Sequence, residues 1–110
     1  TSAGQQLRDF CYVDDTVSAI IKALTQSEVE GGVFNVASGE AVTIRTMIEK
    51  VCVLTGSGKP QFGEIAYRPG ENMALYGDIS KVRSILDWEP TISLGDGLKK
   101  TILFFEENHV

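Results

Sequence analysis

The sequence has few of the residues that build metal centres, disulfide frameworks or nucleic-acid surfaces. Its 110 residues include one histidine and two cysteines, and its net charge is −5. This acidic balance argues against a nucleic-acid partner, because binding a phosphate backbone requires a surplus of Lys and Arg. Cys11 and Cys52 form no Cys-x-x-Cys pair, so we interpret both as reduced core thiols of a cytoplasmic protein. We predict no metal site and assign no role to His109.

Two further absences concern membranes and dinucleotide cofactors. No apolar run approaches the roughly 20 residues that a membrane span needs, so we expect no membrane partner. The 11 glycines contain no Gly-x-Gly-x-x-Gly turn, with which a dinucleotide-binding fold surrounds a pyrophosphate. No tyrosine is followed four positions later by a lysine, so a common proton-transfer pair is also missing. We therefore predict no catalytic residues for hydride transfer and no cofactor bound by this chain alone.

The remaining composition is that of an ordinary folded protein. With 43% hydrophobic and 23% charged residues, the chain is long enough for one core, and we predict a single domain spanning residues 1–110. The first residue is Thr rather than Met, from which we expect that the chain is cut from a longer parent.

Apolar residues at helical spacing predict four helices. The first runs from residue 16 to about 26, the second follows a Thr43 cap and ends near Gly56, the third follows a Ser80 cap, and the fourth opens at Ser93. Short extended segments are expected at residues 10–13, 33–37 and 75–76, the second of them a strand buried on both faces. The predicted fold class is α+β, with strands too short for an independent sheet. Such strands are typical of pieces that complete a sheet in a larger protein, or of edge ribbons inside a helical subdomain.

Adjacent carboxylates at positions 14 and 15 raise the question of a metal or acid–base pair. Neighbouring side chains at a helix start point in different directions, and negative charge is favourable at that end of the helix dipole. We therefore interpret Asp14 or Asp15 as a helix cap.

Two arginines are the strongest candidates for binding. Arg8 and Arg68 each lie near an acidic residue, and a guanidinium group matches phosphate oxygens two at a time. Pro69 and Gly70 predict a tight turn after Arg68, and Glu71 then has a carboxylate that can accept hydrogen bonds from ribose hydroxyls. The residues favour a grip on a nucleoside diphosphate. The alternatives are an exposed ion pair between Arg8 and Asp9 and a solvated surface arginine at position 68.

Five segments, taken in order, carry a resemblance to a known family. They are Arg-Asp-Phe-Cys-Tyr-Val-Asp-Asp at 8–15, Phe-Asn-Val-Ala-Ser-Gly at 34–39, Arg-Pro-Gly-Glu at 68–71, Asp-Ile-Ser-Lys at 78–81 and Leu-Asp-Trp-Glu-Pro at 86–90. In this order they resemble the C-terminal part of the extended short-chain dehydrogenase/reductase family of nucleotide-sugar epimerases, dehydratases and decarboxylases. The resemblance covers essentially the whole chain.

The resemblance implies a division of labour between two parts of an enzyme. The N-terminal Rossmann domain binds NAD and carries the Tyr-Lys pair, and the C-terminal part holds the nucleotide end of a nucleotide-diphosphate sugar. It places Arg8 and Arg68 near the diphosphate and Glu71 on the ribose. The implied partners are that sugar nucleotide and either the missing Rossmann domain or a second copy in a homodimer.

Several functions remain open at this point. The first is the substrate-binding part of an NAD-dependent epimerase or dehydratase that is not catalytically competent alone. A stand-alone nucleotide-binding module and a self-associating structural module are alternatives. Among chemistries, UDP-glucuronate decarboxylase is a further alternative, because residues 10–15 resemble those enzymes.

Overall fold

A computed structural model describes residues 1–26 and 31–108. Within these ranges the chain forms four helices and three short strands, which confirms the predicted α+β class. The strands are β1 (Leu7–Asp9), β2 (Ala41–Thr43) and β3 (Ala74–Leu75), and the helices are α1 (Val13–Thr25), α2 (Ile44–Thr55), α3 (Ser80–Leu86) and α4 (Leu94–Asn108). In this part of the chain no helix is both long and apolar enough to cross a membrane. His109 lies outside the described residues.

The three strands form one small sheet in the order β2-β1-β3. The central strand β1 runs antiparallel to β2 and parallel to β3, with Arg8 opposite Val42 on one side and Leu75 on the other. The predicted strand at residues 10–13 was wrong by three positions, because the extended pairing ends at Asp9 and α1 begins at Val13. Arg8 therefore lies in the middle of the sheet rather than before it.

Two of the predicted helix boundaries, at Thr43 and Gly56, were correct. The Thr43 hydroxyl accepts a hydrogen bond from the Thr46 amide at 3.0 Å, and Gly56 ends α2 in the left-handed conformation. The expected Ser80 cap was wrong. Ile79 precedes α3 without a side-chain cap. The carboxylate of Asp78, one residue earlier, accepts from both the amide and the hydroxyl of Ser80, and these bonds lower the pKa of the Asp78 carboxyl.

The predicted cap at Asp14 or Asp15 was also wrong. Tyr12 precedes the helix without a side-chain cap, and the Asp15 carboxylate is buried against the loop that leads into α4. It accepts hydrogen bonds from the amides of Thr91 and Ile92, each at 3.0 Å, and from the Thr91 hydroxyl. Burial alone would raise the pKa of Asp15, but these three hydrogen bonds outweigh it and lower the pKa below its ordinary value.

The hydrophobic core lies between α1, α3 and the segment at 34–37. The Trp88 ring is fully buried there, and its indole N–H donates to the Asp15 carbonyl at 3.0 Å and to the Ser18 hydroxyl at 2.8 Å. The other buried members of this cluster are small or aliphatic: Ala19, Ala37, Ile79, Val82 and Leu86. Asp15 and Trp88 thus fasten α1 to the chain between α3 and α4.

One apolar stripe is exposed, and one apolar segment is only partly buried. The α1 stripe of Val17, Ile20, Ile21 and Leu24 points outward, and Leu24 is 80% exposed. Residues 33–37 form no strand, and Val33 is 79% exposed. A strand requires a hydrogen-bonding neighbour, and within the described ranges the three paired strands are β1, β2 and β3. The prediction of a buried strand at 33–37 was therefore wrong for this chain.

We expect Asp15→Asn to lower the free energy of unfolding by about 2 kcal/mol, because the amide that replaces one oxygen is a donor facing backbone donors. The wild-type contribution is fully present above the ordinary Asp pKa of 3.8 and is lost as pH falls through the lower pKa of the folded state. Urea unfolding followed from pH 6 to 2.5 by circular dichroism measures both effects.

The matched control for this prediction is Asp14→Asn, one residue away and exposed. Removing its charge from the first turn of α1 is expected to lower the free energy of unfolding by about 0.5 kcal/mol or less, well below the loss at Asp15. Equal losses in the two variants, or an unchanged acid response in Asp15→Asn, would contradict the structural role of Asp15.

Candidate functional site

Arg8 is held by the central strand of the sheet. Its Nη1 donates to the Leu7 carbonyl at 2.7 Å, which ties the guanidinium to the backbone of β1. The side chain is 22% exposed, so the charged group is partly removed from water. Arg8 is thus a pre-oriented cation rather than a freely moving surface residue.

Arg68 is presented by the tight turn that the sequence predicts. The Glu71 amide donates to the Arg68 carbonyl at 3.0 Å, and Gly70 has a φ of 76°. Proline at the second position and a positive φ at the third are typical of a type II turn, so the predicted turn is confirmed. The Arg68 side chain is 84% exposed and projects into solvent.

The loop that carries Arg68 is tied to the N-terminal segment next to β1. The Tyr67 hydroxyl accepts a hydrogen bond from the Gln5 amide at 3.0 Å. The Ile65 amide donates to the Thr1 carbonyl at 2.9 Å, and the Thr1 amino group donates to the Gln61 carbonyl at 3.1 Å. These contacts bring residues far apart in the sequence to one edge of the molecule and give Tyr67 a structural role.

Glu71 joins the two arginines. Arg68 Nη2 lies 3.1 Å from Glu71 Oε2, and Arg8 Nη2 lies 3.7 Å from Glu71 Oε1. The Glu71 side chain is only 12% exposed, so both ion pairs are anchored at a largely buried carboxylate. We call these three residues the arginine cluster. The structure brings together all three of the binding residues predicted from the sequence.

The arginine cluster has an excess of positive charge in an acidic protein. Two guanidinium groups share one carboxylate, whereas the chain as a whole carries −5. The Arg68 guanidinium keeps most of its donors in solvent. An arrangement of this kind can accept a polyanion through charge-assisted hydrogen bonds.

Gln6, which the sequence did not single out, also contacts the cluster. Its side chain is nine-tenths buried, and its Nε2 donates to Glu71 Oε1 at 3.4 Å. In extended backbone, residues two apart lie on the same face, so Gln6 shares the face of Arg8. The two-residue spacing between Gln6 and Arg8 was the feature of the sequence from which this contact could have been predicted.

Asp9 has a different role from the one considered in the sequence. Its carboxylate accepts hydrogen bonds from the Ser38 amide at 2.7 Å and the Gly39 amide at 3.0 Å. Arg8 meanwhile pairs with Glu71. The alternative of an Arg8–Asp9 ion pair was therefore wrong, and Asp9 fastens β1 to the turn at 38–39.

The described residues do not suit a dinucleotide cofactor. A pyrophosphate is bound where glycines let the backbone at a helix N-terminus approach it closely. The connection from β1 to α1 is Phe10, Cys11 and Tyr12, and β2 runs directly into α2 at Ile44. The third connection, from β3 to α3, has the single glycine Gly77, where an added Cβ would meet the Ala37 side chain. None of the three connections has a glycine-rich turn, so no step that uses such a cofactor is assigned to these residues.

Comparison with known proteins identifies the family. The family model described as GDP-mannose 4,6 dehydratase matches residues 2–101. The chain belongs to this family. Its relatives include NAD-dependent nucleotide-sugar epimerases and dehydratases of the extended short-chain dehydrogenase/reductase type, the family that the sequence motifs had indicated.

Individual relatives agree with this assignment. The chain is 33% identical over 106 residues to UDP-glucuronate 4-epimerase of Thermodesulfobacterium geofontis, covering 96% of this chain and 32% of the relative. It is similar in structure to UDP-glucose 4-epimerase of Thermotoga maritima, solved with UDP-glucose, with a TM-score of 0.85 and 30% identity over 97% of this chain and 34% of that one.

A third similar structure contains both a sugar nucleotide and a cofactor. UDP-glucuronic acid 4-epimerase of Bacillus cereus, in complex with UDP-glucuronic acid and NAD, has a TM-score of 0.82 and 31% identity over 96% of this chain and 33% of that one. The chain spans about a third of the length of the relatives it matches.

We expect Gly70→Ala to lower the free energy of unfolding by about 1 kcal/mol, because a residue with a Cβ is strained at the left-handed φ of the turn. Space is not the cause, since an added Cβ would meet no atom within 4 Å. Urea unfolding of the purified variant measures the loss.

Gly95→Ala is the control, because Gly95 lies in α4 and its added Cβ also meets nothing within 4 Å. There alanine is expected to leave stability unchanged or raise it. Equal effects at the two glycines would contradict the turn assignment.

Proposed function

We propose that this chain provides the substrate-binding part of an NAD-dependent nucleotide-sugar epimerase or dehydratase, and that the arginine cluster binds the nucleoside diphosphate. The observation that carries the proposal is the convergence of Arg8 and Arg68 on Glu71, at 3.7 and 3.1 Å. Two guanidinium groups side by side suit a ligand with two linked phosphates, since each fork can pair with oxygens of one phosphate.

The unequal exposure of the two arginines supports a two-point grip. Arg8 is fixed on the sheet, whereas Arg68 is exposed at the tip of a turn and can adjust to the ligand. Because Arg8 is already ordered, less conformational entropy is lost when the ligand binds, and the mobile Arg68 side chain can move into close contact with the ligand. In this proposal Arg8 sets the position of the diphosphate and Arg68 closes over it.

Glu71 has acceptor capacity beyond its two ion pairs. A carboxylate has about four lone-pair sites, and Arg8, Arg68 and Gln6 approach it from three directions. A ribose hydroxyl of the bound nucleotide would take a remaining site. Glu71 would thus orient both arginines and read the sugar of the nucleotide.

The proposal concerns the nucleotide end of the substrate, which several relatives have in common by name. Similar proteins include dTDP-glucose 4,6-dehydratase of Haemophilus influenzae and UDP-N-acetyl-alpha-D-glucosaminuronate decarboxylase of Bacillus cytotoxicus, at 29 and 30% identity. Their names all contain a nucleoside diphosphate attached to a sugar, whereas the chemistry on the sugar differs. Residues that select that chemistry would lie outside the arginine cluster.

The exposed apolar stripe of α1 supports a partner for this chain. Burial of a large aliphatic side chain stabilises a protein by about 2 kcal/mol, so four such side chains in water favour a covering surface. Residues 33–37 have a strand-like sequence but no strand to pair with among the described residues. We propose that the NAD-binding Rossmann domain covers the stripe and pairs with that segment, with a second copy of the chain as the alternative.

Calorimetric titration with UDP, dTDP, GDP and CDP tests the proposed grip. We expect at least one of the four to bind, and Arg68→Ala to weaken that binding by about tenfold or more, because a charge-assisted contact is lost. The protein concentration and salt are held constant, since the contact is electrostatic.

The matched control is Arg83→Ala, which removes an arginine of α3 that pairs with Glu89 at 3.4 Å outside the arginine cluster. Its affinity is expected to remain within twofold of the wild type. If none of the nucleotides binds, or if the two substitutions weaken binding equally, the cluster is not the diphosphate site of this chain.

Turnover separates binding from catalysis. Supplied with NAD and UDP-glucose or UDP-glucuronate, the purified chain is expected to produce no epimer above the protein-free control, because the described residues provide no cofactor site. Chromatographic analysis of the sugar nucleotides measures this. Turnover that rises in proportion to the concentration of pure chain, and that Arg68→Ala lowers, would show that the chain catalyses the reaction alone. That result would contradict its assignment as the substrate-binding part only.

A further inference from the structure

Gln6 is a buried amide with one satisfied and one unsatisfied end. Its residue is 9% exposed, and its backbone carbonyl accepts from the Ile44 amide at 3.0 Å. The side-chain Nε2 donates to Glu71 Oε1 at 3.4 Å. The side-chain Oε1 is buried and has no hydrogen-bond partner.

Stability alone does not account for an amide at this position. A buried acceptor without a donor destabilises the folded state, and an apolar residue of the same length would avoid that loss. The amide instead has one specific contact, which is the Glu71 carboxylate of the arginine cluster. The polar group of Gln6 therefore serves the arginine cluster rather than the core.

We infer that Gln6 is a positioning residue, which fixes the orientation of the Glu71 carboxylate so that one oxygen faces Arg68 and the other faces Arg8. This inference rests on the proposed diphosphate grip. Glu71 Oε1 contacts the side chains of Gln6 and Arg8, whereas Glu71 Oε2 contacts Arg68. The contact with Gln6 thus assigns the two oxygens to different partners.

This division of the carboxylate leaves guanidinium donors available. A free carboxylate and an arginine favour a bidentate pair, in which two donors of one guanidinium are consumed. Without Gln6, the Glu71 carboxylate can turn both oxygens to Arg68 and form a bidentate pair that occupies two donors of the Arg68 guanidinium. With Gln6 in place, each arginine keeps donors for phosphate oxygens.

The substitution Gln6→Met separates this role from a merely structural one, because it keeps the length of the side chain and removes both polar ends. We expect the thermal unfolding midpoint to stay equal or rise, and the affinity for the bound nucleotide among UDP, dTDP, GDP and CDP to fall about fivefold or more. The control is Gln5→Met, whose side chain is exposed, with affinity and midpoint unchanged. A wild-type affinity in a folded Gln6→Met overturns the inference.

Gln6→Glu provides a second test if the methionine variant does not fold. It keeps the size and polarity of the side chain but places a second carboxylate beside Glu71. We expect a larger loss of affinity than with methionine, since like charges repel and the donor is gone. Wild-type affinity in a folded Gln6→Glu would also overturn the inference.

A readout without nucleotide distinguishes failure of this inference from failure of the proposed function. Nuclear magnetic resonance of the Arg8 and Arg68 guanidinium groups in the unliganded chain reports how each contacts Glu71. We expect the Arg68 signals to shift in Gln6→Met and to stay in place in Gln5→Met. If no nucleotide binds the wild type, the proposed function fails, and unchanged Arg68 signals in Gln6→Met would then overturn the positioning role on its own.

Discussion

The geometry of the arginine cluster depends on the backbone pairing of a strand only three residues long. β1 forms backbone hydrogen bonds with β2 on one side and β3 on the other, so the backbone of Arg8 is held at the centre of the sheet. The Leu7 amide also donates to the Met73 carbonyl at 2.7 Å, two residues after Glu71. The pairing of β1 therefore brings the turn at 68–71 beside Arg8.

Electrostatic balance is the second requirement of the cluster. Two guanidinium groups near each other repel, and the largely buried Glu71 carboxylate between them offsets that repulsion. One carboxylate for two cations leaves an excess of positive charge. A fully neutral cluster would be more stable but would attract an anion less, so the charge left over is the feature that suits binding.

The sequence predicted some features that depend on near neighbours, together with the convergence of Arg8, Arg68 and Glu71, but it missed other contacts between distant residues. The Thr43 cap and the turn at Gly70 involve partners three positions away, and both were correct. Asp15, by contrast, bonds to Thr91, 76 positions on, and a helix-start pattern gives no indication of that. Gln6 and Glu71 are 65 positions apart, so their contact also required the fold.

Hydrophobic pattern has a related limit, since it indicates that a face is buried but not by what. The α1 stripe has the correct helical period, yet the opposite face holds Ala19 and Asp15 against the core. The inward face carries the polar carboxylate of Asp15, which a hydrophobic pattern would place in solvent. Its hydrogen bonds to the amides of residues 91 and 92 explain why it is buried. The period of the stripe was correct, and its direction depended on contacts that the pattern does not contain.

The outward stripe and the arginine cluster are close in the chain. Only residues 10–12 separate the end of β1 from the start of α1. Tyr12 packs over Gly97 of α4, where an added Cβ would lie 3.2 Å from its ring, so this connection has little freedom to adjust. The position of α1, and with it that of the outward stripe, is therefore set relative to β1 and Arg8 by contacts within this chain.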